Sequence, residues 1–404
     1  MSTTGYDVIV VGARCAGSPT AMLLARMGHR VLVVDRATFP SDTLSTHLLQ
    51  PHGVAALRRW GLLDRVVATG CPPIHTYTYD FEQFAISGNP GTTYEPVAYG
   101  PRRTVLDKIL VDAAREAGAE VREGFGVTDL VFDDDGRVVG VRGRERDGPV
   151  ITEHARVVVG ADGLHSLVAR LVGAQAYHEK PRLMCAYYTY FSGLPMHGVF
   201  EAYARPHQGF AASPTNDGLT MVVGTWPFAA FDEVRKDVEG HYAKNLELVP
   251  AFAERIREAR QETRLVGKAV PNFFRKPFGP GWALVGDAGY TKDSITAQGI
   301  SDAFRSAESC ANALNAAFSG LQPFGTAMAD YHANRDHHAL PIYDFTVELA
   351  TLTPPTGDFL RLLKAIHGHE EAMNEFIRVN SGVGSLPEFL ATWSEPTTMD
   401  VHDE

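Results

Sequence analysis

Residues 6–36 read YDVIVVGARCAGSPTAMLLARMGHRVLVVDR, the most informative stretch of the sequence. The β-branched apolar run at 8–11 predicts a strand that is covered on both faces in a parallel sheet. A glycine turn then opens an Ala-, Leu- and Met-rich helix, for which Gly28 is the expected left-handed C-terminal cap. A second Val-rich strand ends at Asp35, which lies 35 − 12 = 23 positions after Gly12. This βαβ order is typical of a dinucleotide-binding fold, in which an acid follows about 20 residues after the first glycine.

The glycine turn offers the groups that a pyrophosphate needs. Gly12 permits the tight turn, and Gly17 lets the helix and the strand approach closely. The start of the helix presents unpaired N–H groups and the positive end of its dipole. Asp35 can accept both hydrogen bonds of an adenosine ribose, which favours a ribose without a 2′-phosphate. Arg14 replaces the middle glycine of the G-x-G-x-x-G pattern and adds a cation; a βα turn without a ligand is the alternative interpretation.

The composition argues against several classes of protein. The 404 residues allow two substantial cores, and 45% hydrophobic and 21% charged residues fit an ordinary globular protein. A net charge of −11 argues against nucleic acid or an anionic membrane as a partner. The sequence has no apolar run of about 18 residues and no leader, so we expect no membrane span and a cytoplasmic location. The four cysteines are scattered and no H-E-x-x-H pattern occurs, so we expect neither disulfides nor a metal site.

The rest of the chain is predicted to interrupt and then resume the opening fold. The hydroxyl-rich segment 39–47 follows the second strand, so it is expected to be a loop near the cofactor. The other predicted elements are a helix from Pro51, strands within 74–87, a helix at about 105–117, a strand at 119–122, a hairpin at 127–141, a strand at 155–159, antiparallel strands within 183–226, helices within 231–260, a strand at 282–285 and a helix from 299 to about 317. Beyond 324 the pattern is helical and shows no visible chemistry.

Residues 183–226 form an aromatic region that is predicted to be the floor of a substrate domain. Alternation along its first strand places Tyr188 and Tyr190 on one face and Tyr187 and Phe191 on the other. Packing in the core remains the simpler role for any one of these aromatic rings.

Three motifs carry a resemblance to a known family: GARCAG at 12–17, GADG at 160–163 and GDA at 286–288. In order and spacing they resemble the FAD-dependent monooxygenases similar to p-hydroxybenzoate hydroxylase. The wider superfamily also contains geranylgeranyl reductases and flavin-dependent halogenases. The resemblance spans about residues 6–317. It implies an α/β fold: a Rossmann-like, glutathione-reductase-type FAD-binding fold with a β-rich substrate domain and a helical C-terminal region.

The resemblance also implies domain boundaries. The FAD-binding domain would comprise 1–72, 101–180 and 276–320, while 73–100 would add strands on the substrate side. Residues 181–275 would form the antiparallel substrate domain and 321–404 the helical C-terminal region.

The same resemblance implies a set of cofactor contacts. The glycine turn would hold the FAD pyrophosphate, Val127 would lie by the adenine, and Asp287 would bind the ribityl chain or pyrophosphate. Asp162 would support FAD and a transient nicotinamide site, and Gly299-Ile300 would offer N–H groups to the pyrimidine edge of the flavin. The full expected set is Gly12, Ala13, Arg14, Ala16, Gly17, Asp35, Arg36, Arg103, Val127, Asp162, Gly286, Asp287, Gly299 and Ile300. The histidine usual after GDA is Tyr290 here, and a usual proline is Ser294, so the loop facing the flavin is atypical.

The implied reaction is monooxygenation of a small hydrophobic or aromatic substrate by O₂ through a flavin C4a-hydroperoxide. NADH, NADPH or a separate flavin reductase would supply the electrons. The alternatives are a flavin-dependent reductase or dehydrogenase acting on an alkene, and a flavin-binding protein without turnover. The halogenase signature W-x-W-x-I-P is absent, which argues against halogenation. The catalytic residues are unknown; His47, Tyr188 and Tyr190 are candidates and His165 is a further one, and for each of them a place outside the reaction is the alternative. The oligomeric state, including a homodimer, is left open.

Overall fold

Residues 5–394 are the part of the chain that the computed structural model describes. The strands are β1 (Tyr6–Val11), β2 (Val31–Asp35), β3 (Pro73–Ile74), β4 (Thr76–Asp80), β5 (Ala85–Gly88), β6 (Ala98–Tyr99), β7 (Glu120–Glu123), β8 (Phe125–Phe132), β9 (Val138–Glu145), β10 (Ile151–Gly160), β11 (Ala176–Lys180), β12 (Met184–Ser192), β13 (Val199–Arg205), β14 (Gln208–Pro214), β15 (Thr220–Pro227), β16 (Arg260–Gln261), β17 (Val266–Ala269), β18 (Asn272–Arg275), β19 (Phe278–Gly279), β20 (Trp282–Leu284) and β21 (Tyr290–Thr291). The helices are α1 (Gly17–Arg26), α2 (Pro51–Trp60), α3 (Leu63–Val67), α4 (Arg103–Glu116), α5 (Leu167–Leu171), α6 (Phe231–Val234), α7 (Val238–Glu247), α8 (Pro250–Arg257), α9 (Gly299–Phe318), α10 (Phe324–Leu349), α11 (Gly357–Ile366), α12 (Glu370–Asn380) and α13 (Leu386–Trp393).

The opening βαβ unit lies at the centre of a parallel sheet, as the sequence predicts. The strands run in the order β20-β10-β1-β2-β7, each pair parallel, and β19 adds an antiparallel edge. Val8 and Val10 pack with α1, α4 and α9 on one face, while Ile9 and Val11 pack with β8, β9 and α5 on the other. Burial on both faces explains why these strands are continuous apolar runs and not alternating ones.

The two predicted glycines of the first turn are required by the backbone. Gly12 has a φ of +105°, and a Cβ there would lie 2.4 Å from the carbonyl oxygen of Ala161. A Cβ on Gly17 would lie 1.7 Å from the carbonyl oxygen of Gly12. Glycine therefore allows both the turn and the close packing of α1 on the strand ends. Gly28 also adopts the left-handed conformation predicted for it, with a φ of +88°.

The aromatic region forms a second, mostly antiparallel sheet in the order β16-β12-β15-β14-β13-β4-β5, with β17 also pairing with β12. Its two faces differ, as the alternation predicts. Tyr187 and Phe191 pack against Trp226 and the helices α7 and α8. Tyr188 and Tyr190 form a separate cluster with Met221 on the opposite face.

The C-terminal helices cover one end of the second sheet and reach the start of α9. Buried residues of α11, α12 and α13 pack with Tyr77 and Ile86. The side-chain amide of Gln298, just before α9, donates to the carbonyl of Asn380 at 2.9 Å, and the hydroxyl groups of Thr296 and Thr346 lie 2.8 Å apart. The helical C-terminal region therefore helps to fix the loop that precedes α9, a role that no sequence pattern indicates. Among residues 5–394, no helix combines the length and apolarity that a membrane crossing needs.

Candidate cofactor and active site

A cavity of about 670 Å³ lies at the carboxyl ends of β1, β2 and β10. This edge is where ligands bind in open α/β sheets, and the volume is within the range of roughly 300–1,000 Å³ for small-molecule sites. The hydroxyl-rich segment predicted near the cofactor borders the cavity through residues 43–46. The three motifs of the sequence therefore meet at one cavity.

The predicted cofactor contacts lie around this cavity, with two exceptions. Ala13 and Gly17 do not line it; they are buried within the turn. The lining members of the predicted set are Gly12, Arg14, Ala16, Asp35, Arg36, Arg103, Val127, Asp162, Gly286, Asp287, Gly299 and Ile300. The cavity thus brings together residues up to 300 − 12 = 288 positions apart in the sequence, and each individual contact stays a prediction.

Asp35 ties the glycine turn to the end of β2. Its carboxylate accepts the N–H of Ala13 at 2.7 Å and the N–H of Ala37 at 2.8 Å. A carboxylate has about four acceptor positions, so these two bonds leave room for ribose hydroxyl groups. The acid therefore positions the turn whether or not it also binds the nucleotide.

The cation that Arg14 brings to the turn is held by a carboxylate that the sequence analysis did not single out. Asp107 on α4 accepts from Arg14 at 2.5 Å and from Arg103 at 3.0 and 3.1 Å, and its exposed fraction is 0%. Cys15 also donates its thiol to Asp107 at 3.3 Å. One buried carboxylate thus orients two guanidinium groups at the cavity wall. The Arg103–Asp107 spacing of four on a helix was the signal that could have identified it.

Asp287 projects into the cavity from the turn after β20. The side chain is accessible from the cavity. Desolvation by the surrounding protein nevertheless raises the pKa of its carboxyl group, and the positive charges of Lys268 and Arg103 oppose this shift. Within residues 5–394 we find no group that donates a hydrogen bond to this carboxylate. Asp287 is therefore a free acceptor facing the cavity, which suits a ligand that carries hydroxyl groups.

The atypical loop after Asp287 carries an ionic cluster. Lys292 donates to the hydroxyl of Tyr290 at 2.6 Å and forms an ion pair with Asp302 in the first turn of α9. Tyr290, which replaces the usual histidine, is thus the hydrogen-bond partner of a lysine. Gly299 follows at the start of α9 and is exposed to the cavity. The first N–H groups of this 20-residue helix have no partner within it, so they can donate hydrogen bonds to an electron-rich ring edge.

Asp162 uses its carboxylate mainly at the start of α5. It accepts from the Ser166 hydroxyl at 2.5 Å and from the N–H groups of Leu167 and Val168 at 2.6 and 3.2 Å. Burial still raises the pKa of Asp162, because desolvation outweighs these bonds. The residue borders the cavity beside His165, and its part in a nicotinamide site stays a prediction.

The three candidate catalytic residues meet in one cluster behind the loop that borders the cavity. His47 forms a hydrogen bond through Nε2 with the hydroxyl of Tyr190, and the ring of Tyr188 stands edge-on to both, with centroids 5.9 and 5.8 Å away. The guanidinium of Arg102 lies 5.2 Å from the centre of the Tyr190 ring. His47 is 1% exposed and has a φ of +58°, a strained conformation for this residue.

Burial lowers the pKa of His47 to about 3, and the nearby Arg103 and Arg102 act in the same direction. The imidazole is therefore neutral in the folded protein. Its Nδ1 is buried and has no hydrogen-bond partner among the described residues. Burial also raises the pKa values of Tyr188 and Tyr190. The cluster is an uncharged set of proton donors and acceptors at neutral pH.

We expect His47 to make the protein less stable in acid. The unfolded chain binds a proton at this histidine below about pH 6.5 and the folded chain only near pH 3, so stability falls as the pH falls through this window. The contribution is about 1.4 kcal/mol per pH unit. His47→Asn removes the titration and keeps a residue that tolerates positive φ. Urea unfolding from about pH 7 to about pH 4 should show a shallower slope for the variant; equal slopes would contradict the burial of a neutral imidazole.

These residues fit FAD. The cavity offers a glycine turn and a helix start for a pyrophosphate, an acid at the end of β2 for a ribose, and a second helix start for a flavin ring. The lining runs from Asp35 and Val127, where the nucleotide end of FAD would lie, to Asp287 and Ile300, where the flavin end would lie.

Known proteins support this fit. The family model of an FAD binding domain matches residues 5–346. The chain is 30% identical over 314 residues to digeranylgeranylglycerophospholipid reductase 2 of Methanopyrus kandleri, covering 73% of each chain. It is 27% identical to the rifampicin monooxygenase of Streptomyces venezuelae over 92% of this chain and 77% of that one.

Among solved structures, the myxobacterial chondrochloren halogenase CndH, an FAD-dependent halogenase, superposes with a TM-score of 0.80 and 25% identity. The superposition covers 96% of this chain and 93% of the halogenase. The fold and the resemblance inferred from the sequence are thereby confirmed. The chain belongs to the FAD binding domain family, and it is an FAD-dependent oxidoreductase of the superfamily that contains these monooxygenases, reductases and halogenases.

Proposed function

We propose that this protein is a monooxygenase that inserts one oxygen atom from O₂ into a small hydrophobic or aromatic substrate. The observation that carries the proposal is the apolar face of the second sheet, where Tyr188, Tyr190 and Met221 lie behind the loop that borders the cavity. The reduced flavin supplies the activation of O₂ when it is bound. The chain's own contribution is to hold the substrate at the flavin and to keep water away.

The loop 43–47 connects the cavity to this aromatic face. Residues 43–46 border the cavity, whereas the next residue, His47, turns inward to Tyr190. Leu44 exposes 37% of its surface although it is a large apolar residue. An apolar side chain at the cavity and aromatic rings directly behind it form a wall that favours an apolar ligand.

The hydrogen-bonded pair of His47 and Tyr190 is proposed to position the loop that borders the cavity. The bond links Nε2 of the neutral imidazole to the Tyr190 hydroxyl, and His47 directly follows residues 43–46, which border the cavity, so the bond holds this loop in place beside a bound substrate. This role needs the hydroxyl of Tyr190 but not its ring.

We expect Tyr190→Phe to keep FAD and the fold but to lower kcat by roughly 10²-fold, the effect of a small misplacement of groups around a bound substrate. The matched control is Tyr187→Phe, on the opposite face of the same strand, which should leave kcat unchanged. The kcat values of both variants are measured by steady-state turnover with a substrate whose oxygenation is coupled to nucleotide oxidation. An unchanged kcat in Tyr190→Phe would remove this tyrosine from the reaction.

A reductase that acts on an alkene is the second candidate function. It is favoured by the similarity to the Methanopyrus kandleri enzyme, which is a reductase by name. The apolar surroundings of the cavity would then hold the alkene beside the flavin. The rifampicin monooxygenase matches 92% of this chain, whereas the reductase matches 73%, and this broader match supports the proposal of oxygenation.

The proposal is tested by measuring how far nucleotide oxidation is coupled to oxygen transfer and how far it is lost as H₂O₂. The purified holoprotein is incubated with NADH or NADPH and a panel of phenols and polyketide-like aromatics, while nucleotide oxidation and H₂O₂ release are both measured. A substrate that raises nucleotide oxidation and lowers the H₂O₂ released per nucleotide supports oxygen transfer. A panel of alkenes that are reduced without O₂ consumption would favour the reductase. A requirement for added bromide or chloride would point to halogenation.

A further inference from the structure

Six cationic side chains border the cavity, and they differ in whether a carboxylate neutralises them. They are Arg14, Arg36, Arg103, Arg182, Lys268 and Lys292. Arg14 and Arg103 bind Asp107, and Lys292 binds Asp302. Among the described residues, no carboxylate lies within ion-pair distance of Arg36, Arg182 or Lys268. Arg36 follows Asp35 at the nucleotide end of the cavity, which leaves Arg182 and Lys268 without an assigned partner.

Lys268 lies on the same side of the second sheet as the aromatic cluster. It is directly opposite Ala186 across the β12–β17 pair, and Val266 is opposite Tyr188. Residues directly opposite in an antiparallel pair share a face, and alternate residues of a strand do so as well. Lys268 is therefore on the face that carries Tyr188 and Tyr190. It is exposed, it borders the cavity, and its charge acts on Asp287.

Arg182 lies two residues before β12 and is anchored near the flavin-facing loop. The carbonyl of its neighbour Pro181 accepts from the amide of Asn272 at 3.0 Å, and Asn272 in turn accepts the N–H of Asp293 at 2.7 Å. The guanidinium lies 5.8 Å from the centre of the Phe228 ring and is exposed where it borders the cavity. The sheet side of the cavity thus carries two cations from the neighbourhood of β12.

Acidic groups nearby do not cancel this charge. Asp287 lies across from Lys268 but forms no ion pair with it at 4 Å or less. Asp293 borders the cavity too, yet its carboxylate oxygens are buried, and desolvation raises its pKa to about 7, so it is only partly ionised at neutral pH. Two exposed cations beside an apolar aromatic wall suit a ligand with an apolar body and one anionic group.

We propose that Lys268 and Arg182 form an anion-binding site that receives a carboxylate or phosphate group while the rest of that ligand lies in the cavity. The anion comes from one of two sources: the carboxylate of a hydrophobic acid that is the substrate, or a phosphate of the nicotinamide nucleotide that supplies electrons. The inference rests on the proposed function only for the role of this ligand, as substrate or as electron donor, in the reaction. The binding itself is independent of that reaction, so it can be tested separately.

The test uses the FAD-loaded protein and isothermal titration with three probes: benzoate, its uncharged analogue benzamide, and ADP-ribose. The variants are Lys268→Gln and Arg182→Gln, with Lys236→Gln as the control, because Lys236 is an exposed lysine remote from the cavity lining. Each charge-assisted hydrogen bond that is lost should weaken binding of the anion about tenfold. Benzamide should bind equally to all four proteins, and Lys236→Gln should match the wild type for every probe.

The two sources give different patterns. Weaker binding of benzoate alone in the glutamine variants assigns the site to an acidic substrate, and weaker binding of ADP-ribose alone assigns it to the electron donor. Failure of both anions to bind the wild type, or equal affinities in wild type and variants, would overturn the proposal. FAD affinity must also stay unchanged in Lys268→Gln; loss of FAD would place this lysine in the cofactor site instead. None of these results depends on O₂, so they stand even if the protein proves to be a reductase.

Discussion

Asp287→Ala should yield a protein that is purified largely without FAD. The carboxylate faces the cavity from the GDA turn, and within the described residues no group donates a hydrogen bond to it, so the ligand is its expected partner. Loss of one or two charge-assisted hydrogen bonds weakens binding by roughly tenfold to several hundredfold. The measurements are the ratio of flavin to protein absorbance and calorimetric titration of the apoprotein with FAD.

Asp134→Ala is the control for this change. Asp134 is an exposed acid in the β8–β9 hairpin turn and does not border the cavity, so its removal should leave FAD affinity unchanged. If Asp287→Ala bound FAD as tightly as the control, the assignment of the GDA turn to the cofactor would be wrong.

Asp107→Ala should destabilise the whole fold by about 3–5 kcal/mol, because it leaves a buried charge pair without its anion. The side chain is 0% exposed and binds both Arg14 and Arg103. Within residues 5–394, Arg14 has a second side-chain acceptor in Ser41, whereas Arg103 has none besides Asp107. We also expect FAD binding to weaken, since both guanidinium groups border the cavity and would lose their orientation. Urea unfolding of the apoprotein measures the first effect, and FAD titration measures the second.

Glu116→Ala provides a matched comparison on the same helix. Its ion pair with Arg65 lies at the surface, where the side chains are 55% and 42% exposed, so its loss should cost about 0–1 kcal/mol. Similar destabilisation by Asp107→Ala and Glu116→Ala would show that the buried carboxylate does not organise the turn.

The sequence could predict those parts of the fold that depend on local pattern. The opening βαβ unit, the β8–β9 hairpin, the Pro51 helix start and the two faces of β12 follow from periods of 2 and 3.6 residues and from glycine and proline positions. The edges of the parallel sheet then bring the three motifs together, because the carboxyl ends of parallel strands lie on one side.

The parts that could not be predicted depend on contacts between distant residues. Arg14 and Asp107 are 93 positions apart, and Gln298 and Asn380 are 82 apart. Neither pair leaves a trace in local periodicity. The spacing of four could have linked Asp107 to Arg103 but not to Arg14, and the support from the C-terminal helices became visible only in the structure. His47 is a candidate from the sequence alone, but its hydrogen bond to Tyr190, 143 positions away, could not be predicted from local pattern. The domain boundaries and the individual FAD contacts stay predictions.

The most direct test of the proposed function is the reaction of the reduced protein with O₂. The FAD-loaded protein is reduced without oxygen and mixed rapidly with oxygenated buffer while the absorbance spectrum is recorded. A monooxygenase should pass through a transient species whose spectrum differs from those of both reduced and oxidised FAD, and Tyr190→Phe should still form it. Slow reoxidation without any such species would contradict the monooxygenase and favour the alkene reductase.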